Sequence, residues 1–356
     1  MNESTSSAEE GSSDQLSKEL TLFDVYAICT GAMFSSGFFL LPGLAAAETG
    51  PSVVFAYLLS GLLIMPAALC VAELSTAMPK AGGAYYFLDR SLGPVVGATG
   101  GVSTWVALIL KSAFALVGMG AYLAIFVELP IKPVAVALIV AFTALNIFGA
   151  KESGGLQQIL VATLVAVLTY FVVQGLYEVF AGSGPRTART FDEWFVYGLP
   201  GLFSTVGMVF VSYAGLTKVA SVSEEVKNPD RNIPLGMLLS LATAIVIYTA
   251  GVFVMVDVLD PATFREDLTP VATAGQAFFD WLPGEAGLWL IVVAAIAAFA
   301  STGNAGIMSA SRYPLAMARD KLVPSVFAKI GRFDTPTWGI LITGGLMIFA
   351  VIALDV

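Results

Sequence analysis

Residues able to bind a small solute occur in this chain inside stretches that are otherwise apolar. Residues 34–42 read FSSGFFLLP, so Ser35, Ser36 and Gly37 interrupt an apolar run and Pro42 follows one turn later. Residues 212–215 read SYAG, placing Ser212, Tyr213, Ala214 and Gly215 in the middle of another such run. Hydrocarbon penalises any backbone N–H or C=O without a partner, so a helix interrupted at that depth needs a reason. One reason is binding: freed N–H groups carry the positive end of the helix dipole and suit a carboxylate, while freed carbonyls suit a cation. Taken singly, either segment also reads as small residues at a helix–helix contact. Their occurrence at corresponding positions of two halves points instead to a solute site near the bilayer midplane. Lys111 is the third such feature, an ionisable side chain in an apolar run that costs about 3 kcal/mol or more unless it finds a partner.

Other chemistries are poorly supplied. The chain contains no His, which removes imidazole acid–base catalysis and most zinc sites. Its two cysteines, Cys29 and Cys70, both lie in apolar segments and read as small packing residues. No G-x-x-x-x-G-K-[ST] loop occurs, so nucleotide-driven pumping by this chain is not expected. An enzyme is not expected, and neither is a cofactor. The net charge of −9 argues against nucleic acid as a partner.

The elements that must position these residues are membrane helices. Of 356 residues, 57% are hydrophobic and 12% charged, about half the charged share of a soluble domain. With about 20 apolar residues per crossing, nine spans are expected, near 23–47, 52–77, 95–126, 132–149, 156–180, 197–222, 234–256, 286–311 and 336–354. Residues 1–20 are polar and acidic and read as a disordered cytosolic tail; residues 21–356 form one transmembrane domain. Placing the N-terminus inside leaves Lys132, Arg186, Arg189 and Arg265 outside, Lys111 within a span, and the remaining twelve Lys and Arg inside, in accord with the positive-inside rule. The expected location is the cell membrane, with lipid and a small solute as partners and self-association as an open option.

Five stretches resemble the amino acid–polyamine–organocation (APC) superfamily of secondary transporters. GAMFSSGFFLLP (31–42) resembles its first-helix G-x-x-x-G-S-G-x-F-x-x-P, and AELSTAMPKAGGAYYFL (72–88) the A-E-L-x-x-x-x-P-x-x-G-G-x-Y that closes its second helix. LNIFGAKESGGLQ (145–157) is similar to the family's connection between helices four and five. SYAGLTKVASVSEEVKNPDRNIP (212–234) resembles the sixth helix with its E-E-x-K-N-P-x-R-N-I-P loop, and SRYPLAMARDKLVPSVFAKIGRFDTP (311–336) the loop after the eighth.

The resemblance implies an all-α integral membrane protein with the LeuT-type fold of two inverted five-helix repeats, in which helices one and six are broken. The first repeat would cover about 21–181 and the second about 196–356. Nine spans leave the second repeat one helix short. The implied activity is amino acid transport by alternating access, driven by an H⁺ or Na⁺ gradient. The alternatives are a cation–chloride or organocation carrier of the same fold, or a truncated, non-transporting membrane subunit. Carried over residue by residue, the substrate site comprises Ser35, Ser36 and Gly37 on the first helix and Phe210, Ser212, Tyr213, Ala214 and Gly215 on the sixth. Lys111 joins them because the third helix lines the pocket in this fold. Ser301, Thr302 and Asn304 stand where LeuT-type transporters place sodium ligands. Glu73, Glu224, Glu225, Lys227 and Arg231 form the expected gating network of the cytosolic side. The chain departs from the family at Ser35, usually Gly, at Val211, where some members carry a gating aromatic, and at Thr217, often acidic.

Overall fold

A computed structural model describes residues 16–127, 130–181, 194–279 and 282–353. Its architecture is all-helical, the one β-bridge among the described residues pairing Leu20 with Val226. The chain enters through α1 (Leu22–Met33), leaves helical geometry, and resumes as α2 (Ser36–Phe39) and α3 (Leu41–Thr49). Long apolar helices follow: α4 (Val53–Ala77), α6 (Pro94–Leu123) after the short α5 (Ala84–Leu92), α7 (Ile131–Phe148) and α8 (Ala150–Ala181). The next crossing begins as α9 (Gly198–Tyr213) and continues as a 3₁₀ segment, Ala214–Glu225. Then come α10 (Pro229–Val258), two short helices α11 (Pro261–Glu266) and α12 (Pro270–Phe278), α13 (Ala286–Ala310), α14 (Arg312–Arg319) and α15 (Thr337–Ala353).

Among the described residues, seven helical stretches are long and apolar enough to cross a membrane. Two shorter apolar helices, Leu22–Met33 and Thr337–Ala353, fall where the first and ninth crossings are expected. Helix is the economical solution here, because each residue's N–H and C=O pair within the segment and none is left for lipid to solvate. At 30 residues α6 is roughly 45 Å long, well beyond the bilayer's hydrocarbon core. α10 packs on α4, α1 and α8, while α13 packs on α6 and α8, so α1 is enclosed between these pairs. α15 lies outside them, against α7 and α6.

Residues 16–20, assigned to the tail on composition, are part of this packing; 1–15 lie outside the described residues. Leu16 and Leu20 are buried, and the Glu19 and Leu20 amides donate to the Glu225 carbonyl at 3.0 and 2.9 Å. The N-terminal strand-like segment is thereby tied to the end of the 3₁₀ segment. Two leucines spaced four apart are the apolar content that a mean over twenty polar residues conceals.

Candidate functional site

The first break is confined to two residues. α1 closes with the Phe34 amide donating to Thr30 O, and Ser35 takes a non-helical conformation (φ −157°, ψ −127°) before Ser36 starts the next turn. Pro42 then falls in the first turn of α3, where its missing N–H costs nothing. The carbonyls around the break are held by tyrosine hydroxyls from three other helices. Tyr248 donates to Met33 O at 2.8 Å, Tyr57 to Gly37 O at 2.6 Å, and Tyr122 to Phe39 O at 2.5 Å. Phe38 stacks on Tyr248 at 5.5 Å between ring centres, so the same rings that bind the carbonyls also wall the break with apolar surface.

The second break is the change from α9 to the 3₁₀ segment at Ala214. The two interruptions touch. A Cβ on Gly37 would stand 2.6 Å from the Ser212 Cβ and Oγ, and one on Gly215 would stand 2.2 Å from the Ala32 carbonyl oxygen. Both glycines are therefore needed for close approach of two main chains. The unusual backbone angles belong to Ser35, not Gly37.

A cavity of about 840 Å³ opens between these breaks, α6 and α9. Of the sequence-predicted residues, Ser35, Ser36, Gly37, Lys111, Ser212 and Ala214 line it, together with Val211, Thr217 and Lys218. Its remaining wall is mostly aliphatic, from Leu40, Leu41, Leu44, Leu108 and neighbours. Tyr213 and Gly215 are buried behind the wall; the Tyr213 hydroxyl donates to Tyr57 O at 2.9 Å. The structure does not bring Phe210 to the cavity. At about 100° per residue it points some 200° away from Met208, which does line it. Lys111 donates to Val211 O at 3.4 Å. Lys218 is 3% exposed, and its ammonium has no hydrogen-bond partner among the described residues; nor has the Ser212 hydroxyl.

Ser301, Thr302 and Asn304 on α13 are fully buried and engaged by protein groups. The Gln157 amide donates to Ser301 Oγ at 2.6 Å, and Thr302 Oγ1 donates to Gly31 O at 2.8 Å. Asn304 Oδ1 accepts from Asn146 at 2.9 Å and from Ser153 at 3.1 Å, while its own amide donates to Gln157 Oε1 at 3.2 Å. These side chains join α1, α7, α8 and α13 behind the cavity.

At the face that carries residues 16–20, two of the five expected gating residues form tight ion pairs. Arg312, fully buried, donates to both Glu225 carboxylate oxygens at 2.8 and 2.9 Å. Arg319 reaches Glu224 at 2.7 Å, and the same carboxylate accepts from the Leu16 and Ala81 amides at 3.0 Å each. Lys227 makes an outlying contact to Glu19 at 3.7 Å, whereas Glu73 and Arg231 are exposed and stand apart from both pairs. Close by, Arg90 and Tyr85 share Asp320, at 2.9 and 2.7 Å. Burial, reinforced by the Asp320 carboxylate, pushes the Tyr85 phenol well above its ordinary pKa, so it remains a donor at neutral pH.

Lys218, Arg312 and Arg319 appear in the sequence only as members of the inner basic set. Their roles come from partners, or a missing partner, far along the chain. Tyr57 and Tyr248 look like ordinary aromatics of apolar helices and carry no mark of their work on the break.

A family model described as amino acid permease matches residues 20–355. Cationic amino acid transporter 2, vacuolar, of Arabidopsis thaliana is 31% identical over an alignment taking in 93% of this chain and 54% of that protein. The branched-chain amino acid permease BcaP of Lactococcus lactis is 30% identical, with 94% and 77% covered. The methylthioribose transporter of Bacillus subtilis is 28% identical, with 93% and 74% covered. The chain thus spans a little over half the length of the Arabidopsis relative.

Proposed function

The chain belongs to the amino acid permease family, and we propose that it acts as a secondary transporter that carries amino acids across the membrane by alternating access. The observation that supports this reading most directly is the contact of the two helix breaks, Gly37 against Ser212, at the wall of the cavity. Ser35, Ser36 and Gly37 present the α-carboxylate with backbone amides, and Ser212 and Ala214 face the rest of the solute. The arrangement follows a LeuT-type pair of repeats, with the N-terminus on the cytosolic side of the cell membrane. The Glu225–Arg312 and Glu224–Arg319 pairs join the N-terminal segment, the 3₁₀ segment and α14, and they act as the latch of that face.

The relatives' names cover cationic and branched-chain amino acids and methylthioribose, and of these classes we take amino acids as the cargo of this chain. For the coupling ion we favour H⁺. The oxygens of Ser301 and Asn304 already accept hydrogen bonds from Gln157, Asn146 and Ser153, donors that a bound Na⁺ would have to displace.

The test is uptake of labelled amino acids by the full-length protein in liposomes, under imposed H⁺ or Na⁺ gradients. Uptake that follows the H⁺ gradient, and that Gly37→Val abolishes, is the expected result. Uptake of no amino acid, with gradient-dependent chloride flux instead, overturns the transport reading. Unchanged affinity in Gly37→Val overturns the site, because no Cβ-bearing residue fits there without moving Ser212.

A further inference from the structure

Two ammonium groups border the cavity, and the described residues supply no carboxylate among those that line it. Lys111 rises from α6 and, among the described residues, donates only to the Val211 carbonyl, at 3.4 Å. Lys218 comes from the 3₁₀ segment just past the second break, is 3% exposed, and leaves its ammonium without a hydrogen-bond partner among the described residues. That ammonium lies against the small-residue face of α13, 3.8 Å from where a Cβ on Gly306 would stand. The Ser112 hydroxyl, also without a partner among the described residues, stands at that Cβ position. The two lysines are near enough for their charges to interact.

A buried charge is normally paired, because solvation lost on burial must be replaced by a counter-charge or hydrogen bonds. Arg312, equally buried, keeps that rule, with Glu225, Met308 O and Ser311 Oγ around it. Lys218 breaks it beside a solute-sized cavity. A cationic side chain entering there would add a third positive charge to two that already repel. An aliphatic one would leave the ammonium unmatched. A second carboxylate would neutralise it.

We propose that the cavity selects amino acids with an acidic side chain, Lys218 and Lys111 forming the subsite for the distal carboxylate. The inference rests on the reading of the cavity as the substrate site. It runs opposite to what the name of the Arabidopsis relatives, cationic amino acid transporters, would suggest for this chain. Thr217, which stands beside Lys218 on the cavity wall, leaves the subsite without a negative charge of its own.

The experiment measures uptake of labelled glutamate, leucine and arginine by the full-length protein in liposomes, each competed by the other two. Glutamate is expected to have a KM at least tenfold below that of leucine, with arginine failing to compete. Lys218→Met and Lys111→Met should each raise the ratio of the glutamate KM to the leucine KM tenfold or more, and Lys218→Arg should keep glutamate preferred. The wild-type selectivity needs no variant to fold, so it decides the matter even where Lys218→Met does not assemble. Preference for leucine or arginine by the wild type, or an unchanged KM ratio in both Met variants, overturns the acidic subsite. If such a leucine or arginine carrier is still abolished by Gly37→Val, the site reading survives. If its uptake is indifferent to Gly37→Val, the site reading falls with the subsite, and the absence of any amino acid uptake sinks both.

Discussion

The cavity at the two breaks and the latch at the N-terminal face treat polar groups in opposite ways. In the latch, every charge at the centre has its partner: Arg312 lies on Glu225 with both carboxylate oxygens engaged, and Glu224 accepts from Arg319 and two backbone amides. At the cavity, Lys218 is buried with its ammonium unmet among the described residues. Arg312 and Lys218 are both buried, so the difference between these two is not one of solvent access. A saturated network holds one arrangement of helices, whereas an unsaturated one is completed by something that arrives. Under the proposed function, the contrast separates residues that lock the fold from residues that receive a solute.

Removing one half of the buried latch pair breaks the contrast most severely. Arg312→Met leaves Glu225 buried and unpaired, a loss of about 3–5 kcal/mol. It should appear as a large fall in Tm in detergent or as failure to recover monodisperse protein. Replacing both partners, Arg312→Met with Glu225→Leu, should restore most of that stability, since an apolar pair of similar size has no desolvation to offset. A double variant as unstable as the single one would show that the latch does more than pair charges.

Crowding at the crossing of the two breaks comes next. Gly215→Val puts side-chain atoms where the Ala32 carbonyl stands and should destabilise by about 1–3 kcal/mol, measured by thermal unfolding. A neutral result would mean that α1 and the 3₁₀ segment do not meet so closely. Tyr57→Phe sharpens the comparison from the cavity side. It removes the hydroxyl that holds Gly37 O and should cost about 1 kcal/mol, read as a severalfold loss of uptake with the protein still folded. The smallest effect is expected at the margin of the latch. Arg90–Asp320 is half exposed, and Asp320→Asn should change stability by less than about 1 kcal/mol and lose its effect in high salt.

How far these features can be read in the chain differs residue by residue. Ser35–Gly37 and Ser212–Gly215 are legible because small polar residues stand out against hydrocarbon-sized apolar runs. Lys111 is legible for the same reason. Lys218 is not, although it is the more deeply buried of the two. It follows the second break, where hydropathy falls, and so it reads as one more cation of a basic loop. Only the 3₁₀ continuation to Glu225 carries it inward, against α13. Phe210 shows the reverse, a residue named by its position in a motif but turned by helical geometry away from the cavity.

Alone, the sequence determined that this is a membrane protein of helical spans, where two of them are interrupted, and which basic and acidic residues gather toward one face. Those properties are local or compositional: they depend on the run of apolar residues and on neighbours within a turn or two. The tertiary structure decided which interruptions touch, which tyrosines satisfy their carbonyls, and which charges are matched. Arg312 and Glu225 are 87 residues apart, and Tyr248 and Met33 215 apart. No local pattern records such pairings, because they are consequences of how whole helices pack. The same packing leaves Lys218 without a match among the described residues, and an unmatched charge can be recognised only once the helices around it have been placed.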